Sequence, residues 1–183
     1  MLRFAELLES FNALIGRTVA WLTLVMVLLT VVIVLLRYAF DLGWIWLQES
    51  VTWMHASVFM LAAAWTLGCD EHVRVDVFYR KLGPRGRAIV DLAGTWLFLV
   101  PVSLFLLWSS FGYVEASWAI GETSREAGGL GYPAVPVLKS MIPVTAVMLL
   151  LQGIAGSIRN VLVLASRVQV STPEPPSDHL GPA

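Results

Sequence analysis

The chain has 183 residues, of which 57% are hydrophobic and 14% are charged, with a formal net charge of −1. Soluble domains are about 45–50% apolar and about 25% charged, so this composition excludes an ordinary soluble enzyme and a disordered protein. A nearly neutral chain has no basic field to attract nucleic acid, and one cysteine cannot form a disulfide within the chain.

Four stretches of the sequence contain no Asp, Glu, Lys or Arg. Each is near or above the roughly 20 residues that a helix needs to cross a bilayer core about 30 Å thick. They predict an all-α membrane protein with four transmembrane helices at residues 18–36, 50–69, 92–114 and 140–158. The first stretch exceeds the roughly 7–15 residues of a signal-peptide core and precedes Arg37 rather than a small-residue cleavage site, so we expect it to remain as a helix.

The segments between these spans differ in Lys and Arg content. The two termini and the middle loop together contain nine, whereas the first and third loops together contain three. The positive-inside rule therefore predicts that both termini and the middle loop are cytoplasmic.

The two ends of the chain have different patterns. Apolar residues recur at helical spacing from Phe4 to Ile15, with Arg3, Glu6, Glu9 and Asn12 on the other face, which predicts a short amphipathic helix on the cytoplasmic membrane surface. Residues 171–183 contain four prolines and few apolar residues, which predicts a disordered tail. We expect residues 1–170 to form one membrane domain.

His55 is the one Asp, Glu, Lys, Arg or His residue inside the predicted spans. A hydrogen-bonded packing residue is the favoured interpretation, with a proton relay as the alternative. One histidine cannot supply the two axial ligands of a bis-histidine haem, and the spans contain no paired carboxylates or Ser-His-Asp set. Pro101 is expected to kink or tilt the third span, whereas Pro143 falls in the first turns of the fourth. The sequence thus predicts neither an enzyme nor a cofactor, and the chain by itself shows no transport site.

The first external loop contains Trp44, Trp46 and Glu49. The tryptophans suit the membrane interface, and Glu49 at the start of the second span suits the positive end of the helix dipole. Pairing of Glu49 with Arg37 or with a partner subunit is the alternative.

The middle loop contains the charged segment 70–81. His72 and Asp76 are four residues apart, but a zinc site needs a second group of ligands that the sequence lacks. A charge-balanced docking surface is the better interpretation.

Several short motifs occur in order along the four spans. They are Leu47-Gln48-Glu49, His72-Val73-Arg74-Val75-Asp76-Val77-Phe78-Tyr79, Leu99-Val100-Pro101, Gly128-Gly129-Leu130-Gly131-Tyr132-Pro133, Ile142-Pro143 and Leu151-Gln152-Gly153. From about Trp21 to Asn160 the chain resembles the small permease subunit of tripartite ATP-independent periplasmic (TRAP) transporters, the DctQ-like family, and within it the branch associated with mannitol, chloroaromatic and related carboxylate substrates. Gly131 departs from the proline usual in that branch.

The resemblance implies a multi-pass protein of the bacterial inner membrane, the obligate partner of a large, sodium-coupled elevator-type permease. A periplasmic binding protein delivers an organic acid or related solute to that permease. The small subunit would enlarge the fixed scaffold, contact membrane lipids and offer part of the docking surface. Candidate residues for periplasmic docking are Glu49, Glu115, Trp118, Glu122, Ser124, Arg125 and Glu126. Candidates for subunit contact on the cytoplasmic side are His72, Arg74, Asp76, Arg80 and Lys81. The alternative is a self-contained, homo-oligomeric small transporter or channel, which His55 alone favours.

Overall fold

A computed structural model describes residues 2–69, 79 and 81–165. It contains four long helices, α1 (Leu2–Phe40), α2 (Ile45–Gly68), α3 (Pro84–Ala119) and α4 (Ala134–Leu164), and no strand in these residues. Each helix is long and apolar enough to cross a membrane, which confirms the predicted fold class. A helix suits these sequences because it forms the hydrogen bonds of the backbone N–H and C=O groups within the segment, and hydrocarbon offers those groups no partner.

The helices extend beyond the predicted spans. Every predicted span lies within one helix except for Cys69, which follows the end of α2. Helices continue past the apolar stretch because their polar ends can reach the membrane interface. As a result Glu115 and Trp118, expected in the third loop, lie in the last turns of α3, and Pro143, expected in the first turns of its helix, lies in the interior of α4.

Helix α4 is the centre of the bundle. It packs against α1, α2 and α3. Its buried positions include Ala146, Gly153, Ala155 and Ser157, whose small side chains let neighbouring helices approach closely. In the absence of a strong hydrophobic force between helices in lipid, such close contact provides the packing energy.

The amino-terminal half of α1 packs against α4 through polar side chains. Asn12 is fully buried, and its Nδ2 atom donates to Gln152 Oε1 over 2.9 Å. One turn earlier, Glu9 forms an ion pair with Arg159 near the end of α4. The amphipathic helix expected at the amino terminus is therefore not a separate element, since its residues continue into the first span within α1 and two of its polar side chains face α4.

The apolar part of α1 packs beside α2 along one side, but most of its surface faces away from the bundle. None of the residues in its most apolar 18-residue stretch is buried, and Trp21 is 71% exposed. This surface matches the hydrocarbon of a bilayer rather than water.

Helix α3 has an irregular turn near its middle. Residues Thr95–Leu99 form a π turn, in which the Val100 N–H donates to the Thr95 carbonyl five residues earlier. Pro101 follows directly, and because proline lacks an N–H and clashes with the preceding turn, it disrupts regular helix geometry at this point. Pro101 thus lies next to a local π turn of α3, and a kink or tilt of the third span stays a prediction.

Candidate functional site

Residues 120–133 form a loop that connects α3 to α4 and reaches over the start of α2. Its Gly128 carbonyl accepts a hydrogen bond from the Trp46 N–H over 3.1 Å, which joins it to the first turn of α2. Gly128 has a φ of 81°, a conformation that glycine adopts without a steric cost. We call residues 120–133 the platform loop, and the end of the bundle that it covers the loop end.

Glu49 anchors the platform loop to α2. One carboxylate oxygen accepts a hydrogen bond from the Leu130 N–H over 2.6 Å, and the other accepts one from the Ser124 hydroxyl. The loop also closes on itself, because the Ser124 N–H donates to the Leu130 carbonyl over 2.9 Å. Glu49 therefore binds neither Arg37 nor the amino terminus of its own helix, which begins four residues earlier at Ile45.

A second anchor joins the platform loop to α3 and α4. Lys139 Nζ donates to Glu122 Oε2 over 2.5 Å, and the Ser117 hydroxyl donates to the same oxygen over 2.6 Å. The ammonium group of Lys139 also lies 4.0 Å from the centre of the Tyr113 ring, a cation–π contact. The Lys139 hydrogen bond is the main cause that lowers the pKa of Glu122 below its ordinary value; the Ser117 hydroxyl acts in the same direction, and partial burial acts against both.

Tryptophans hold the helix ends beneath the platform loop. Trp118 Nε1 donates to Ser140 Oγ over 2.9 Å, and its ring meets the Tyr132 ring edge-on at 6.1 Å. Trp53 Nε1 donates over 3.0 Å to the carbonyl of Ala134, the first residue of α4. The loop end is thus fastened to all of α2, α3 and α4.

The predicted docking residues separate into two groups. Glu49, Trp118, Glu122 and Ser124 are bonded within the chain, so they shape the platform loop. The other three, Glu115, Arg125 and Glu126, are exposed, and their side chains form no hydrogen bond or ion pair with the described residues. The structure brings all seven residues to the loop end.

Sequence analysis did not identify Lys139 or Tyr113 as site residues. Lys139 is five residues after the start of α4 and 17 residues from its partner Glu122. A lysine next to an apolar span is ordinarily a membrane-interface anchor. Only its position as one of two Lys or Arg residues in the third external segment could have indicated an ion pair with a nearby carboxylate.

Most cytoplasmic candidates lie outside the described residues, namely His72, Arg74, Asp76 and Arg80, as does the predicted tail at 171–183. Lys81 is described and exposed. Nearby, Tyr79 donates its hydroxyl proton to Asp91 over 2.8 Å.

His55 differs from the packing residue that the sequence favoured. It lies on an exposed face of α2, and no described residue forms a hydrogen bond with it. The described residues also contain no group of three His, Cys, Asp or Glu side chains that could hold a metal ion.

Four membrane-length helices and a polar loop fastened across one end define a multi-pass membrane protein. Residues 26–163 match the family described as "Tripartite ATP-independent periplasmic transporters, DctQ component". This match covers most of the chain, which belongs to that family and is a small membrane component of a TRAP transporter, located in the inner membrane. Comparisons with curated proteins and with solved structures found no match.

Proposed function

We propose that this chain is the fixed scaffold of a large elevator-type permease and part of the docking surface for a periplasmic binding protein, in sodium-driven uptake of an organic acid or related solute. The proposal includes cytoplasmic termini, a periplasmic platform loop and no enzymatic activity. The observation that carries it is the platform loop itself. This polar loop is held against α2 by Glu49 and against α3 and α4 by the Glu122–Lys139 pair.

A fixed docking surface needs little ordering when the partner binds. Glu49 and Glu122 attach the platform loop to separate helices, so its geometry is set before any contact with a partner. Rigid surfaces lose less conformational freedom on binding and therefore retain more of the interaction energy. This preorganisation supports docking at the loop end.

Three exposed charges are available for that contact. Glu115, Arg125 and Glu126 belong to the platform loop or the adjoining turn of α3, and charged rim residues mainly set the association rate and its salt dependence. Glu49 and Glu122 hold the platform loop in place and so fix the positions of these charges.

The complex itself is tested by affinity purification of the tagged chain from native membranes in mild detergent, with mass spectrometry of the bound proteins. Stoichiometric recovery of one large, many-span permease is expected. Recovery of this chain alone as a stable homo-oligomer would contradict the scaffold proposal and favour a self-contained transporter.

Docking is tested by charge reversal in the purified complex. Arg125→Glu and Glu126→Lys change the local charge in opposite directions, so they should change the association rate of the binding protein in opposite directions and alter its dependence on salt concentration, because both side chains are exposed and neither forms a hydrogen bond of the anchors. Surface plasmon resonance at several salt concentrations measures both quantities.

The matched control is Glu6→Lys, an exposed charge reversal on the first two turns of α1, at the opposite end of the bundle. Its association rate should equal that of the wild type. Equal rates for all three variants would remove the platform loop from the docking proposal.

A further inference from the structure

Helix α2 has an exposed polar face in the part of the protein that crosses the membrane. Gln48, Thr52 and His55 are all exposed, and their spacing of four and three residues places them on one side of the helix. This polar face begins beside Glu49 at the loop end and continues toward the middle of α2.

His55 lies within the predicted second span, five residues after its first residue, Ser50. It is ten residues from the start of α2 at Ile45, about 15 Å along the helix axis. Helix α2 has 24 residues, so this position is near its midpoint. An imidazole carries one hydrogen-bond donor and one acceptor, and leaving them unpaired in hydrocarbon costs free energy.

Several other polar side chains in the helices form hydrogen bonds within the chain, whereas Ser103 Oγ and Ser157 Oγ are buried with no partner among the described residues. Thr30 and Ser109 are exposed, but each hydroxyl donates to a carbonyl of its own helix. Gln152 is buried and accepts from Asn12. His55 forms no such bond with the described residues, which sets the polar face of α2 apart from the exposed apolar surface of α1.

We infer that the polar face formed by Gln48, Thr52 and His55 binds a membrane-spanning helix of the large permease subunit, which supplies a hydrogen-bonding side chain to His55. This inference rests on the proposed function. The chain belongs to a transporter family with several components, and a partner on this face would lie directly beside the platform loop.

A second copy of this chain fits the polar face less well. Two His55 side chains that face each other across a two-fold axis can form one N–H···N hydrogen bond, which leaves one donor and one acceptor unpaired. A different protein can offer hydrogen-bond partners to both the donor and the acceptor of a single imidazole. The chemistry of His55 therefore favours the permease over self-association.

The first test maps the neighbour of this face. The photoreactive residue p-benzoylphenylalanine replaces Thr52 on the polar face, or Leu28 on the exposed apolar surface of α1 as the control, in cells that also produce the large permease. Irradiation should link the probe at position 52, and not the probe at position 28, to a protein with the mass of the permease.

The second test measures the contribution of His55. After co-purification in mild detergent, His55→Leu should recover about three- to tenfold less permease per small subunit than the wild type, as expected for one polar contact between membrane helices. His55→Gln keeps a donor and an acceptor and should restore recovery. Thr30→Val on α1 is the control and should leave recovery unchanged, because the Thr30 hydroxyl is bonded within its own helix.

The possible failures are distinguishable. If the wild-type chain recovers no permease, the proposed function is wrong and this inference with it. If the wild type recovers permease but position 52 links to a second copy or to no protein, or if His55→Leu recovers as much as the wild type, the inference alone is overturned.

Discussion

Glu49 illustrates how one residue depends on its distant neighbours. In the sequence it is a carboxylate near the start of a span, where a helix dipole or an arginine offers a partner. In the structure its carboxylate binds Ser124 and the backbone of Leu130, which are 75 and 81 residues away. The carboxylate therefore holds the platform loop instead of capping a helix.

Gly129 is predicted to be essential for this anchor. A Cβ atom at residue 129 would lie 2.7 Å from Glu49 Oε2 and would also meet Ser124. Gly129→Ala should therefore cost about 1–3 kcal/mol of stability, as other overpacked sites do. Thermal unfolding in detergent measures the change, and Gly131→Ala, where a Cβ meets nothing within 4 Å, is the control and should unfold like the wild type.

The Glu122–Lys139 pair predicts a pH dependence. Because folding lowers the pKa of Glu122, its ionised form stabilises the fold at pH values above its ordinary pKa, and this contribution is lost as the pH falls through the lowered value. The unfolding midpoint of Glu122→Gln should thus be below that of the wild type at pH 7, and the two should converge as the pH falls through the lowered pKa of Glu122.

Glu126→Gln is the control for that measurement, since the Glu126 carboxylate has no partner among the described residues. Its unfolding midpoint should match the wild type throughout the titration. A constant difference between wild type and Glu122→Gln down to the lowest pH would show that the ion pair does not stabilise the loop end.

At the scale of the helices, the small buried residues of α4 allow its neighbours to approach closely. Gly153 faces the π turn of α3, and a Cβ atom there would lie 2.9 Å from Leu99 Cδ2 and 3.2 Å from Thr95 Cγ2. The π turn and the glycine thus occur at the same level of the bundle. The sequence indicated Pro101 as an irregularity but not the helix that packs against it.

Gly153→Ala is expected to separate α3 from α4 and to destabilise the protein by about 1–3 kcal/mol. Gly156→Ala, three residues later on the same helix, is the matched control, because a Cβ there meets nothing within 4 Å and alanine favours a helix over glycine. Thermal unfolding of both variants in one detergent provides the comparison. Equal destabilisation by the two substitutions would mean that the contact with α3 is not what decides the result, because helix propensity by itself favours alanine at both positions.

At the scale of the whole molecule, the proposed orientation makes a direct prediction. Cys69 is the single cysteine, is exposed, and follows the end of α2 that should face the cytoplasm. A membrane-impermeant maleimide should therefore leave Cys69 unlabelled in intact spheroplasts and label it after permeabilisation. A cysteine placed at Thr123 of the platform loop in a Cys69→Ser background should be labelled in both conditions, and the reverse pattern would contradict the orientation.

The sequence alone determined the four spans and the family, because charge-free stretches of bilayer length have one stable arrangement in hydrocarbon and the short motifs occur in order along them. Only the tertiary structure decided which polar side chains meet: Asn12 binds Gln152, Glu122 binds Lys139, and His55 has no hydrogen-bond partner among the described residues. The physical reason is that helices apolar on nearly every side carry no strong signal for one packing face, so contacts between distant residues depend on shape and on a few polar groups.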